Sequence, residues 1–260
     1  MRPDTCWHGS AAWADCATTA RGKKGYEMDF ILAQSMADLG VTDVVTAKVW
    51  NVDVHAELTP EFRAKQQKWL EWALEVDPAT LADNRIIKGY NDLTASVGRS
   101  LRKNPPTAIA LINNVKRRGS MPHVNSVVDI YNVETLISYE AIGCHDLDVI
   151  DWPIEYTVHG REDTFTPIMA NPKRVAETDF VYRDRMGIMA YLDTRDADAY
   201  KLTDDTKNVL FCFVGNPATT VDERVEELRR VLADLKACMP DLTYEIHHVS
   251  VGADEVVERG

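Results

Sequence analysis

Residues 121–132 read MPHVNSVVDIYN, and the way this stretch folds decides how the rest of the chain is arranged. Met121-Pro122 is a turn pair that delivers the backbone into a compact run holding His123, Asn125, Ser126, Asp129 and Asn132. Val124, Val127, Val128 and Ile130 are interleaved among them. Polar groups set between β-branched residues cannot all face water, so some of them enter the interior. There each must be hydrogen-bonded, because an unpaired buried amide or carboxylate costs about 1–3 kcal/mol. The plainer use of Asp129 and Asn132 is to tie down a turn or cap a helix; the alternative is to line a pocket.

Extended to residue 150, the stretch is MPHVNSVVDIYNVETLISYEAIGCHDLDVI, which resembles the core of the B3/B4 domain. The family pattern runs from a Pro and an Asn into Val-Asp-Ile-x-Asn, through an apolar stretch, to Asp-Leu-Asp. Pro122, Asn125, Val128, Asp129, Ile130, Asn132 and the triplet Asp146-Leu147-Asp148 match it. That module is the editing domain of the bacterial phenylalanyl-tRNA synthetase β-subunit and also occurs in free-standing proteins. The likeness continues outward on both sides. Upstream are a Gly-Tyr segment, a Gly, a Pro-rich helix start and a basic helix end; downstream is Arg161-Glu162, where the family carries a Gly-Glu or Arg-Glu turn. The resemblance implies an α+β fold, a single B3/B4-type domain with a mixed or antiparallel β-sheet flanked by helices.

The remaining segments fit one such domain. Residues 1–27 have no usable periodicity, and Arg21-Gly22-Lys23-Lys24-Gly25 reads as flexible, so they are expected to be an N-terminal extension or the product of a start placed too early. The domain is expected over 28–239, with 240–260 a C-terminal strand and tail packed on it. Residues 39–55 are valine-rich and predict one or two strands. Thr59-Pro60 opens a helix as N-cap and first helical residue, with Phe62, Gln66, Trp69 and Ala73 on one face and Asp77-Pro78 ending it. A short helix around Tyr90 to Val97 breaks near Gly98, and Pro105-Pro106-Thr107 starts another with Ile109, Ile112 and Val115 as its stripe. Ile154, Tyr156 and Val158 alternate as a strand does, and residues 177–192 read as a hairpin turning between Asp184 and Gly187. Residues 208–214, NVLFCFV, form a fully buried strand. Thr220 and Glu223 make a capping box before a helix whose apolar side is Val221, Val225, Leu228, Leu232 and Leu235.

Composition narrows the class of function. With 45% hydrophobic and 27% charged residues in 260, the chain has the make-up of a globular protein with a sizeable core. No apolar run approaches the length that spans a bilayer, and five scattered cysteines form no CxxC pair, which fits a reducing cytoplasm. The net charge of −12 is unevenly spread. Between residues 85 and 118, eight basic residues (Arg85, Lys88, Arg99, Arg102, Lys103, Lys116, Arg117, Arg118) stand against one acid, Asp92. This tract carries +7 and leaves −19 for the rest of the chain. A basic face on an acidic body suits tRNA docking, through Arg99, Arg102, Lys103, Lys116, Arg117 and Arg118. The competing reading is a solvated helical face, with the last three cations complementing a helix dipole.

No HExxH, GxSxG, Walker loop or glycine-rich dinucleotide fingerprint is present, and neither Ser126 nor Ser138 has an assignable base. The resemblance implies hydrolysis of an aminoacyl-tRNA ester, a reaction that needs a held water and oxyanion donors rather than a protein nucleophile. Aligned on Asp146, the His of the synthetase segment Pro-Leu-His-Ala-Phe-Asp falls at Gly143, and His145 lies outside that register. Of the Trp-Asn-Trp-Arg-Asp run of free-standing relatives, only Arg195-Asp196 remains. Candidate catalytic residues are therefore Asn125, Arg195 and Asp196, the last two as a clamp or water-orienting pair. Candidate substrate contacts are Asn132, His123 and His145, the histidines because imidazole titrates near neutrality. No cofactor and no metal site is expected. The expected partners are aminoacylated tRNA and its amino-acid moiety, with neither membrane nor DNA. Two other readings stay open: a module that binds an amino acid or metabolite without turnover, and a tRNA-binding accessory protein.

Overall fold

The computed structural model describes residues 28–260, so the extension expected over 1–27 lies outside the described residues. In chain order the elements are β1 (Phe30–Leu32), α1 (Gln34–Ala37), β2 (Asp43–Trp50), α2 (Pro60–Glu75), α3 (Arg85–Ser96), α4 (Thr107–Arg118) and α5 (Ser126–Ser138). They continue with β3 (Gly143–Asp146), β4 (Ile154–Val158), β5 (Asp163–Phe165), β6 (Lys173–Val175), β7 (Phe180–Arg183), β8 (Ile188–Tyr191) and β9 (Arg195–Asp196). The chain closes with β10 (Asn208–Phe213), α6 (Val221–Cys238), β11 (Thr243–Ser250) and β12 (Ala253–Arg259).

Two five-stranded sheets carry the α+β architecture. One, in the order β1-β4-β7-β8-β9, is mixed, because β1 runs parallel to β4 while the other pairs are antiparallel. The other, β12-β11-β2-β10-β3, is antiparallel throughout. The period-2 pleat divides the second sheet between two cores. On β2 and β10, Val44, Leu210 and Cys212 face the first sheet and join Tyr156, Tyr182 and Met189. Val45, Ala47, Val49, Val209, Phe211 and Phe213 face the other way, onto Val127, Ile130 and Val133 of α5 and Leu228, Val231 and Leu235 of α6. The layers are thus sheet, sheet and helices, and β10 is buried on both faces as its unbroken apolar run requires.

The deciding stretch is a helix. Val127, Ile130 and Val133 of α5 meet the sheet, while Leu136 packs with Ala73 of α2 and Ile112 and Val115 of α4. Ser126, Asp129, Glu134, Thr135 and Ser138 are buried as well, so α5 is enclosed almost all round and its 3.6-residue stripe is blurred. Helix ends follow the expected chemistry. Thr59 accepts from the Phe62 amide at 3.1 Å, Thr220 and Glu223 form the reciprocal capping box, and Gly119 closes α4 with φ +73. The C-terminus differs from the expectation of one strand and a tail: β11 and β12 form a hairpin. The sequence of β12, ADEVVER, alternates without an apolar face because the strand lies at a sheet edge with three of its seven residues exposed and none buried. No helix among the described residues is long and apolar enough to cross a membrane.

Candidate functional site

At its C-terminal end α5 stops on Tyr139, which adopts the left-handed φ of +64 and turns the chain through Glu140 to Ile142 into β3. β3 is the edge of the antiparallel sheet and β9 the edge of the mixed one. Between β8 and β9 the chain reverses through Leu192 and Asp193, both left-handed at φ +51 and +49. Side chains other than Gly are rarely held there, so the turn must be fixed by its surroundings. The Thr194 amide donates to the Tyr191 carbonyl at 3.0 Å, and Thr107, the first residue of α4, donates its hydroxyl to the Asp193 carbonyl at 2.6 Å. These elements enclose a cavity of about 60 Å³ whose walls include Thr107, Gly143, Tyr182, Asp193, Arg195 and Asp196.

Gly143 has a specific reason to lack a side chain. A Cβ there would lie 2.1 Å from the Tyr182 hydroxyl and 3.3 Å from His145 Nε2. The phenol therefore occupies the space into which a residue at this register would project. Tyr182 Oη and His145 Nε2 are 2.6 Å apart, and His145 is fully buried. Burial lowers the imidazole to about 3, so His145 stays neutral and is a weak base at pH 7. Its Nδ1 has no hydrogen-bond partner among the described residues. The neighbouring Cys144 thiol is pushed well up by burial and, after that, by Asp196, which keeps it protonated.

The cavity floor is acidic. Burial raises the Asp196 carboxyl to about 7. Asp193 is also pushed well up, first by burial and then by the charges of Glu140 and Asp196. Its Oδ2 is sealed from solvent and has no hydrogen-bond partner among the described residues. Glu140, which accepts from the Tyr90 hydroxyl, is raised by burial too. Cations gather beside this floor. Arg195 is exposed, and Lys173 Nζ lies 4.2 Å from the Tyr191 ring centroid and 3.0 Å from Asn104 Oδ1. Lys173 is lowered by burial and then by Arg195 and Arg99, so the three positive groups share one neighbourhood.

The sequence candidates divide between this cavity and other places. Arg195 and Asp196 are brought together here, and His145 stands behind Tyr182. Asn125 is the N-cap of α5, accepting from the Val128 amide at 2.9 Å. With His123 it lines a separate groove of about 610 Å³. His123 is 81% exposed there, its Nδ1 2.6 Å from the buried Asp129 carboxylate, which also accepts from the Val124 amide. Asn125 caps the N-terminal end of α5 and lines that groove, whereas Asp196 lines the cavity beside Gly143, so the two candidates are not brought to one site. Asn132, half-buried in mid-helix, lines neither space.

The basic tract is not one continuous face. Arg99 grips Asp179 with two bonds of 2.5 Å, and Asp179 is completely buried, so this pair closes a loop rather than presenting a free charge. Arg117 and Arg118 both donate to Asn114 Oδ1 at 2.9 Å, and Lys116 donates to the Leu74 carbonyl. Arg102 and Lys103 stand exposed between α3 and α4. Four residues of the cavity region escaped sequence reasoning: Thr107, Tyr182, Asp193 and Lys173. Only Asp193 left a usable signal, as the first polar residue after the apolar run of β8.

Comparison with known proteins gives a family match. The model of the B3/4 domain family matches residues 89–230. Among solved structures, the chain is similar to the crystal structure of an N-terminal fragment of the phenylalanyl-tRNA synthetase β-subunit from Pyrococcus horikoshii. That similarity has 14% sequence identity and a TM-score of 0.48, and covers 90% of this chain and 55% of that one. The chain thus spans about half the length of the fragment it matches. No curated protein matches the chain.

Proposed function

The chain belongs to the B3/4 domain family, and from that premise we propose that it is a trans-acting editing hydrolase, clearing a wrongly attached or non-standard amino acid from tRNA by water attack on the ester. One observation carries this reading. The cavity joins Gly143, within the stretch that bears the family pattern, to an Asp196 carboxyl raised to about 7. A carboxyl with that pKa is part ionised and part protonated at neutral pH, the condition in which it can both take and return a proton.

In the proposed reaction Asp196 accepts a proton from a held water as the water oxygen bonds to the ester carbonyl carbon. Arg195, exposed at the same wall, stabilises the negative charge that develops on the carbonyl oxygen. The bond from carbon to the ribose oxygen then breaks, its electron pair leaves with that oxygen, and the Asp196 carboxyl returns a proton to it. Free amino acid and deacylated tRNA result. Arg102, Lys103 and the Lys116 to Arg118 cations are proposed to meet the tRNA body, in the cytoplasm. Asn125, at the far end of α5, keeps its capping role and Cys144 stays a buried thiol.

Single-turnover deacylation across a panel of mischarged tRNAs tests the proposal. Asp196→Asn is expected to slow the productive substrate about a hundredfold or more while binding of uncharged tRNA is retained. Full activity in that variant would remove Asp196 from the mechanism. A second reading, a binding module that holds an amino-acid moiety without turnover, is favoured by one fact. Tyr182 fills the space beside Gly143, and the imidazole behind it, His145, is held near pKa 3. Saturable binding with no hydrolysis of any member of the panel would select it.

A further inference from the structure

On the acidic floor of the cavity, Asp193 has no free cationic partner among the described residues. The described cation that pulls Asp193 downward is Arg224, and that guanidinium is already engaged by the Asp43 carboxylate and the Val214 carbonyl. Arg195, at the cavity wall, is exposed. Asp193 Oδ2 is shut off from water and unpartnered among the described residues, on a side chain that lines the cavity. A buried oxygen in that condition costs free energy unless a donor arrives, and a charged donor relieves it most. The space is small. At about 60 Å³ it exceeds the 10–15 Å³ of one water but holds only a compact group, not an aromatic side chain. The missing Cβ at Gly143 and the Tyr182 hydroxyl beside it set that limit.

We infer that this cavity is a seat for a primary ammonium group, with Asp193 as the accepting carboxylate, and that the site therefore selects aminoacyl esters whose α-amino group is free. The inference rests on the proposed ester substrate and specifies which end of it enters. The α-ammonium points inward to Asp193 and Asp196, and the ester carbonyl sits outward toward Arg195. Esters whose α-nitrogen is acylated, as in a peptidyl or formylated aminoacyl-tRNA, bring neither the positive charge nor the fit and are spared. Such selectivity would confine hydrolysis to aminoacyl-tRNA that has not yet entered a growing chain.

The test uses the full chain and a pair of non-hydrolysable probes, alanyl-adenosine joined through an amide at the ribose and its N-acetyl counterpart, in calorimetric titrations. The free amine is expected to bind about tenfold or more tighter, the value of a charge-assisted hydrogen bond. Asp193→Asn should bring the ratio close to one, chiefly by weakening the amine. Asn tolerates the left-handed conformation at 193, and unchanged far-UV circular dichroism and melting temperature would certify the fold. Equal affinity of the two probes, no binding of either, or a ratio that survives Asp193→Asn in a folded variant would each overturn the inference. The pair of hydrolysable esters, alanyl-tRNA and N-acetylalanyl-tRNA, separates this idea from the one beneath it. Hydrolysis of both at equal rates overturns the ammonium seat and keeps the deacylase; selective binding of the amine probe with no ester hydrolysed keeps the seat and discards the deacylase.

Discussion

Replacing Glu227 by Gln should stabilise the protein at neutral pH and do little in mild acid. Glu227 lies on α6, 6% exposed, with Oε2 sealed and unpartnered among the described residues. Burial, then the charges of Glu140 and Glu134, raise its carboxyl from the ordinary 4.5 to about 9. Arg230, the cation that opposes this shift, is held by Glu134 through bonds of 2.6 and 3.0 Å. Between about pH 4.5 and 9 the folded protein keeps a proton on Glu227 that the unfolded chain has released, so stability falls as pH rises through that window. At about 1.36 kcal/mol per pH unit, the cost accumulated by pH 7 is roughly 3 kcal/mol, and by pH 5 it is under about 1 kcal/mol. Gln, which cannot ionise and has the same shape, escapes this cost. Thermal denaturation should then show Glu227→Gln melting about 6–12 °C above the parent at pH 7 and within about 3 °C of it at pH 5. A difference in melting temperature that is the same at both pH values, or a variant less stable at pH 7, would refute the reasoning.

Five further outcomes are expected. If Asp196 is the proton acceptor, kcat/KM for deacylation rises with pH to a plateau with a midpoint near 7, and Asp196→Asn removes that limb along with most of the rate; a flat wild-type profile between pH 5.5 and 8.5 counts against it. Arg99→Ala strands the fully buried Asp179 carboxylate and should cost about 3–5 kcal/mol in urea denaturation, whereas Arg102→Glu with Lys103→Glu should leave stability unchanged, weaken tRNA binding and flatten its salt dependence. Cys144→Ser should leave the deacylation rate nearly intact, because the buried thiol stays protonated; loss of turnover with a normal melting temperature would demand a thiol mechanism. Removing residues 1–27 should change neither melting temperature nor activity, and a cooperative loss of fold would contradict the domain boundary drawn at 28.

What the sequence determined by itself was local. Thr59-Pro60, Thr220 with Glu223, and the Lys116 to Gly119 helix end are legible because capping chemistry is decided by residues within one turn of each other. The buried strand β10 is legible because an unbroken apolar run has no face to give to water. The resemblance of residues 121–150 to the family pattern also implied the α+β class of fold, which the two sheets and their helices show. Helix α5 was harder to read, because packing against the sheet on one side and against α2 and α4 on another erases its stripe. The edge strand β12 escaped for the opposite reason: it buries too little to leave an apolar pattern.

The site belongs to the tertiary structure. Asn125 and Asn132 share one short stretch with Asp129, yet in the helix that stretch forms Asn125 caps the end and lines a separate groove while Asn132 lines neither space. Arg99 counts toward a basic tract in sequence, but the fold spends it on Asp179, 80 residues away. Thr107, Gly143, Tyr182 and Asp193 come from four separate elements, and only the meeting of two sheet edges at the end of α5 encloses them. The raised Asp196 carboxyl is a property of that enclosure, because desolvation depends on what surrounds a group in space and not on its neighbours along the chain.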